Sequence, residues 1–340
     1  MPAKVDATPP KSRNPKETPF RMKITRLLKT TLGTFLLLTA TALPYGDTGH
    51  QVVGAIADQL IAGSPNTLAK VRALLGTETL EHAATWADDC KYHYDKNDAD
   101  MVEFVKNNPQ VGHNQGPHDH HAYHYTDIPI QEKKYSASSV GASKIDVVHM
   151  IRNCIAIIEG NSNATNNPTH ITPKTALKLL VHYVGDIHQP LHVGAVYFDA
   201  SGQPANPNTT PGTKFAIGGN SINFHSTNLH SYWDSVTVTN ALAAAGQTTP
   251  RSFAQTFIAS PPPGWQTSSF ISGWAVKWAN EVLPIATEAH GKLTFHANPK
   301  SWGAKSSDLP GYDKWAREQV SLELGRAGYR LAAILKKVWP

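Results

Sequence analysis

One stretch constrains this chain more than any other: residues 182–192 read His-Tyr-Val-Gly-Asp-Ile-His-Gln-Pro-Leu-His. Leu177, Leu180, Val181 and Val184 recur at helical spacing around its start, and Pro173 stands near a first turn, so residues 173–187 are predicted to be a helix. On that helix His182 and Asp186 are four residues apart and project from one face. Pro190 ends the helix, which lets His192 turn back toward the same space. Burying imidazole and carboxylate among Leu and Val costs free energy unless they are paired or ligated. The fold must therefore bring further polar partners to this segment.

A second pair with the same spacing, His230 and Asp234, lies in Asn-Leu-His-Ser-Tyr-Trp-Asp at 228–234. One His/Asp pair four residues apart is more often a surface hydrogen bond than a ligand site. Two pairs in apolar helix faces favour metal, and neutral imidazole with carboxylate suits Zn²⁺. Two shorter elements join them. Trp86-Ala87-Asp88 closes a predicted helix, with Lys91 one turn on, and His124-Tyr125-Thr126-Asp127 follows a polar loop. Alone, Asp88 reads as a helix cap and His124 as a core residue. Beside the other pairs both become candidate ligands.

The rest of the chain reads as helices joined by loops. Residues 49–62 are amphipathic, with Val52, Val53, Ile56, Leu60 and Ile61 near one face. Residues 67–75, 79–88, 143–159, 227–245, 268–288 and 313–337 are also predicted to be helical. The His- and Asn-rich segment 95–121 reads as loop. The Gly-, Pro-, Asn- and Thr-rich segment 196–222 reads as a long loop or a small hairpin. With strand signals scarce, the expectation is one all-α, multi-helix domain over residues 43–340.

Residues 1–42 have the layout of an export leader: a basic start, an apolar run from Leu32 to Leu38, and an Ala-x-Ala site ending at Ala42. Met22 opens a tidier leader of the same kind. The apolar run is too short for a stable membrane anchor. The leader also accounts for the positive formal charge of +5. Of 31 Lys/Arg and 26 Asp/Glu, eight and two fall within it, which leaves 23 basic and 24 acidic residues beyond. A basic nucleic-acid-binding surface is therefore not indicated, and an anionic substrate must be held by local positive charge such as metal ions. An exported chain permits a Cys90–Cys154 disulfide; two buried thiols are the alternative.

With Tyr45-Gly46-Asp47-Thr48-Gly49-His50 added at the front, the ordered set resembles the zinc-dependent single-strand-specific nucleases and 3′-nucleotidases of fungi, plants and bacteria. Gly218-Gly219-Asn220 and the stretch Ala-Gly-Tyr-Arg-Leu-Ala at 327–332 add to the likeness, which covers residues 45–335. The resemblance implies a domain of the phospholipase C/nuclease type with three zinc ions. It assigns Asp88, His124, His182 and Asp186 to the first, with Asp186 bridging to the second. The second also takes His50 and the backbone amine and carbonyl of Tyr45. His192, His230 and Asp234 take the third. Lys91 is placed near the substrate phosphate, so that Asp88, Lys91 and Asp186 form the catalytic set. Tyr125 stacks on a base while the Asp127 carboxylate accepts its hydrogen bonds. His188 is structural or supports a ligand.

The implied activity is hydrolysis of single-stranded DNA and RNA to 5′-nucleotides, with 3′-nucleotidase activity, by a secreted or periplasmic monomer. Two departures stand out. The family usually begins its mature chain with Trp where this chain has Tyr45, and cleavage after Ala42 leaves Leu43-Pro44 ahead of it. The loop at 196–217 is also longer than usual. Two other readings use the same residues: a zinc-dependent phospholipase C, and a zinc-storage protein built on the His-rich loop 113–121.

Overall fold

The computed structural model describes residues 46–110, 119–258, 262 and 264–340. The leader, Tyr45 and most of the His-rich loop lie outside the described residues. In chain order the helices are α1 (Gly46–Ile61), α2 (Pro65–Leu75), α3 (Leu80–Ala83), α4 (Trp86–Tyr92), α5 (Ala99–Asn107), α6 (Val147–Ile158), α7 (Pro173–Asp186), α8 (Pro190–Val193), α9 (Leu229–Ser231), α10 (Thr237–Ala244), α11 (Pro250–Ile258), α12 (Trp274–Gly291) and α13 (Leu309–Val338). The strands are short: β1 (Ile128–Pro129), β2 (Gly194–Ala195), β3 (Tyr197–Phe198), β4 (Lys214–Phe215), β5 (Ile222–Phe224), β6 (Thr227–Asn228), β7 (Thr294–Ala297) and β8 (Trp302–Lys305). The fold is mostly helical, as expected, and all described residues fall in one compact unit.

Helix α7 is its centre. Thr172 caps it by accepting from Thr175 N, and Pro173 occupies the first turn, where a missing N–H costs nothing. Every residue from 175 to 186 is buried, so α7 is apolar nearly all round, as a helix enclosed by others must be. Helices α6, α13, α1 and α4 pack against it. Asp146 caps α6 by accepting from His149 N, and α6 turns Ile151, Cys154, Ile155 and Ile158 to the core.

Helix α1 is seated by three close approaches at glycine. A Cβ on Gly54 would meet Leu80 O at 2.3 Å, one on Gly328 would meet Ile56 Cβ at 2.5 Å, and one on Gly185 would meet His50 Nδ1 at 2.7 Å. Side chains at these points would hold α1 off α3, α13 and α7.

Several elements depart from the sequence expectation. The segment 95–121 is not all loop: α5 occupies 99–107. Asp98 caps it by accepting from Asp100 N and Met101 N, and Met101 and Phe104 pack into the core. The helix expected over 79–88 breaks at Ala84-Thr85, so Trp86-Ala87-Asp88 opens α4 instead of closing a helix. Pro190 does not end α7, which stops at Asp186; it starts α8. Helix α11 and the β7–β8 hairpin were not anticipated. That hairpin joins β5 and β6 in a four-stranded sheet ordered β6-β5-β8-β7. The hairpin anticipated in 196–222 is present as the antiparallel pair β3–β4. Cys90 and Cys154 are both free and buried, so the disulfide gives way to the alternative of two thiols.

Candidate metal centre

The break between α3 and α4 prepares the first ligands. Asp88 N and Asp89 N both donate to Thr85 O, at 3.0 Å, which leaves the Ala84 carbonyl outside the helical ladder. His182 Nδ1 donates to that carbonyl at 2.7 Å. A carbonyl can only accept, so Nδ1 carries the proton and Nε2 presents its lone pair to the interior. His192 Nδ1 donates likewise to His124 O at 2.9 Å, and His230 Nδ1 to Gly218 O at 2.8 Å. Gly218 aims its carbonyl there from φ +54°, a conformation glycine adopts without steric cost.

The segments bearing His124 and His192 are stitched side by side. Thr126 N donates to His192 O at 2.7 Å, and β1 pairs in parallel with β2. Asp234 sits in a single π-helical turn, 232–236, between α9 and α10. Such turns re-aim side chains within a helix, and here Asp234 Oδ2 lies 3.1 Å from His230 Nε2.

Asp186, at the end of α7, is the hub. Its Oδ2 is 3.0 Å from His124 Nδ1 and 3.3 Å from His182 Nε2. Its Oδ1 is 3.2 Å from His192 Nδ1 and 3.5 Å from His50 Nε2. Asp88 Oδ1 stands 3.6 Å from both His124 Nδ1 and His182 Nε2 and accepts from Lys91 Nζ at 2.9 Å. The His50 and His182 rings stack, centroids 3.6 Å apart. Three groups have donor atoms within 4.8 Å of one another and could each hold a metal ion: His50, His182 and Asp186; Asp88, His124 and His182; and His192, His230 and Asp234.

The electrostatics agree with that donor set. Burial holds His50 and His124 well below the ordinary histidine value and brings His182 down to about 4, so all three imidazoles are neutral at pH 7. Burial opposes ionisation of Asp88, but Lys91, His182 and His50 outweigh it and hold the carboxyl low. Burial, joined by the charge on Asp88, pushes Asp186 well above the carboxylate range. Asp186 Oδ1 is buried yet accepts no hydrogen bond. Neutral imidazoles at His50, His124 and His182, carboxylates between them, and a buried carboxylate oxygen that accepts no hydrogen bond fit divalent cations of the zinc type.

Asp88 and His124 of one group, and His192, His230 and Asp234 of another, line a cavity of about 640 Å³, the size of a small-molecule site. Its wall includes Lys91, Tyr125 and Asp127, the three residues expected to meet substrate. Burial pushes Asp127 up to about 8, with His230 pulling the other way.

All eight described side chains singled out as ligands thus converge; the ninth residue, Tyr45, lies outside the described residues. His182 belongs to two of the groups, where the sequence reading gave it to one. His188 stays out of the cluster: its Nδ1 donates to Val184 O at 2.7 Å and its Nε2 accepts from Arg330 at 3.0 Å. Sequence reasoning assigned nothing to Gln189, Tyr92, Phe215 or Ile217. Gln189 was visible inside 182–192, and Ile217 adjoins Gly218-Gly219-Asn220, but no spacing rule marks any of the four.

A family model described as S1/P1 Nuclease matches residues 45–340. Nuclease S1 of Aspergillus oryzae is 28% identical over 340 residues, covering 91% of this chain and 96% of that protein. Nuclease P1 of Penicillium citrinum is 25% identical over 312 residues, 86% of this chain and 97% of that protein. Endonuclease 3 of Arabidopsis thaliana is 25% identical over 309 residues, 88% and 90% respectively.

Proposed function

The chain belongs to the S1/P1 nuclease family and is a hydrolase acting on phosphoric esters, and from that premise we propose that it is an exported, three-zinc nuclease that cleaves single-stranded DNA and RNA to 5′-nucleotides and removes 3′-phosphates from nucleotides. The observation that carries the proposal is the gathering of three His/Asp groups about Asp186, with Asp88, His124, His192, His230 and Asp234 lining one cavity.

Asp88, His124, His182 and Asp186 would hold one zinc, and Asp186 with His50 a second, to which the resemblance would add the backbone of Tyr45. His192, His230 and Asp234 would hold the third. Zinc bound there supplies Lewis-acid charge to a phosphate and lowers the pKa of water. The chain's own residues bind and orient. Lys91, buried and held cationic by Asp88 against the cost of burial, faces the phosphate. Tyr125 offers a ring face to a base and Asp127 its carboxyl. A base reaches such a cavity only when unstacked and unpaired, which selects single strands, and stacking tolerates every base.

Export rests on the leader pattern of residues 1–42, with trimming to Tyr45 supplying the amine. No helix among the described residues is long and apolar enough to cross a membrane.

The test compares release of acid-soluble nucleotides from single-stranded DNA with release of phosphocholine from phosphatidylcholine. Nucleotide release alone is expected. Phosphocholine release without nucleotides would make the chain a lipase, and metal binding with neither product would make it a zinc store.

A further inference from the structure

Arg330 of α13 is a cation sealed in the core, 1% exposed. Its Nε donates to Trp265 O at 3.2 Å, its Nη2 donates to the Glu281 carboxylate, and its Nη1 donates to His188 Nε2 at 3.0 Å. The guanidinium also lies 5.4 Å from the centroid of the Trp278 ring. Taking a charge out of water is costly, and apolar side chains of like volume often serve packing as well or better. Packing therefore does not account for a cation here. We propose that Arg330 is a positioning residue: acting through His188, it fixes the turn between α7 and α8 and so sets the spacing of Asp186 from His192.

The inference rests on the metal reading above. Within the turn, Gln189 N donates to Asp186 O and His192 N donates to Gln189 O, each at 3.0 Å. Asp186 Oδ1 ends 3.2 Å from His192 Nδ1. Asp186 and His192 belong to different metal groups. The bend of this turn therefore decides how far the His192, His230 and Asp234 group stands from the other two.

Local structure holds that bend weakly, because α7 has ended at Asp186 and α8 is only 4 residues long. His188 supplies a brace. Its Nδ1 donates to Val184 O, one turn back in α7, and its Nε2 accepts from Arg330. Both ring nitrogens are used, so the imidazole is fixed at each end. It spans from the guanidinium to the last turn of α7. Glu281 extends the anchorage to α12, the helix that packs on α8. Arg330 thus ties the turn to the two long helices α12 and α13. This is how outlying hydrogen bonds govern metal ligands that they do not touch.

The test is a double-mutant cycle read in zinc affinity. The full chain, as wild type, Arg330→Met, His188→Leu and the double variant, is loaded with zinc and titrated with a competing chelator. Circular dichroism and thermal melting establish that each protein is folded at the temperature used. Each single variant is expected to bind zinc about 10- to 100-fold more weakly, the usual effect of losing an outlying partner of a metal ligand. The double variant is expected to be no weaker than either single, because the two residues act as one unit. His188→Gln, whose carboxamide can still accept from Arg330 and donate to Val184 O, is expected to keep the wild-type affinity. Losses that multiply in the double variant would overturn the positioning role and leave the metal reading intact. So would folded single variants with wild-type zinc affinity. If Arg330→Met does not fold, the two His188 variants decide: a weakened Leu beside an intact Gln supports the role, and equal behaviour overturns it. A wild type that holds no zinc would overturn the metal reading and this inference together.

Discussion

Gln189 Nε2 donates to Asp234 Oδ1 across 2.6 Å, while the same side chain's Oε1 accepts from Leu191 N at 2.5 Å. One buried carboxamide therefore fixes a carboxylate of the third group and caps the short helix α8 that carries its imidazole, His192. Supporting hydrogen bonds of this kind orient metal ligands.

Gln189→Leu removes both bonds with little change in volume. Leaving two buried polar groups without their partner is expected to lower stability by about 1–3 kcal/mol. Metal affinity at the His192, His230 and Asp234 group is expected to fall about 10- to 100-fold. Zinc titration with a competing chelator, alongside urea unfolding, measures both. Unchanged zinc affinity with lowered stability would reduce Gln189 to a helix cap.

Gly185→Ala sets helix propensity against space. In a helix interior the substitution ordinarily gains roughly 0.5–1 kcal/mol. Here the new methyl would meet His50 Nδ1 at 2.7 Å, and overpacking costs typically 1–3 kcal/mol. Net destabilisation and loss of zinc from the His50 group are the expected outcome. A stabilised variant with full zinc content would mean that His50 moves aside freely.

Glu323 makes stability depend on pH. Burial raises its carboxyl from 4.5 to about 7, although Arg326, 2.6 Å away, favours the charged form. A carboxyl whose folded value is raised binds its proton more tightly in the folded state. Its stabilising effect is therefore complete below about 4.5 and is lost as pH rises toward about 7. Glu323→Gln, which cannot ionise, is expected to gain stability relative to wild type between pH 5 and pH 8, by on the order of 3 kcal/mol. Parallel unfolding curves at the two pH values check this; a constant difference between the proteins would show that the ion pair with Arg326 dominates.

The ligands were legible because metal chemistry leaves a strong trace: His and Asp four apart on apolar helix faces have few other uses. What that pattern does not carry is the backbone that aims them. The Ala84-Thr85 break that frees a carbonyl for His182, and the π turn that carries Asp234, arise from tertiary packing. Helix α5 was hidden because only Met101 and Phe104 face the core; the Asp98 cap was its one local signal. The β7–β8 hairpin is stabilised by pairing with β5, some 80 residues earlier in the chain, and no local window contains that contact. Cys90 and Cys154 show the limit of compartment arguments, because export permits a bridge without requiring one.

The central claim is that Asp186 joins the metal groups into one catalytic centre. The most direct test is zinc per chain, by mass spectrometry of the purified protein, for wild type and Asp186→Asn, read beside hydrolysis of single-stranded DNA and the far-ultraviolet circular dichroism of each. The account expects one zinc for each of the three groups in the wild type. It expects a folded Asp186→Asn protein short of zinc and without nuclease activity. A folded variant with its full zinc complement and undiminished cleavage would contradict it.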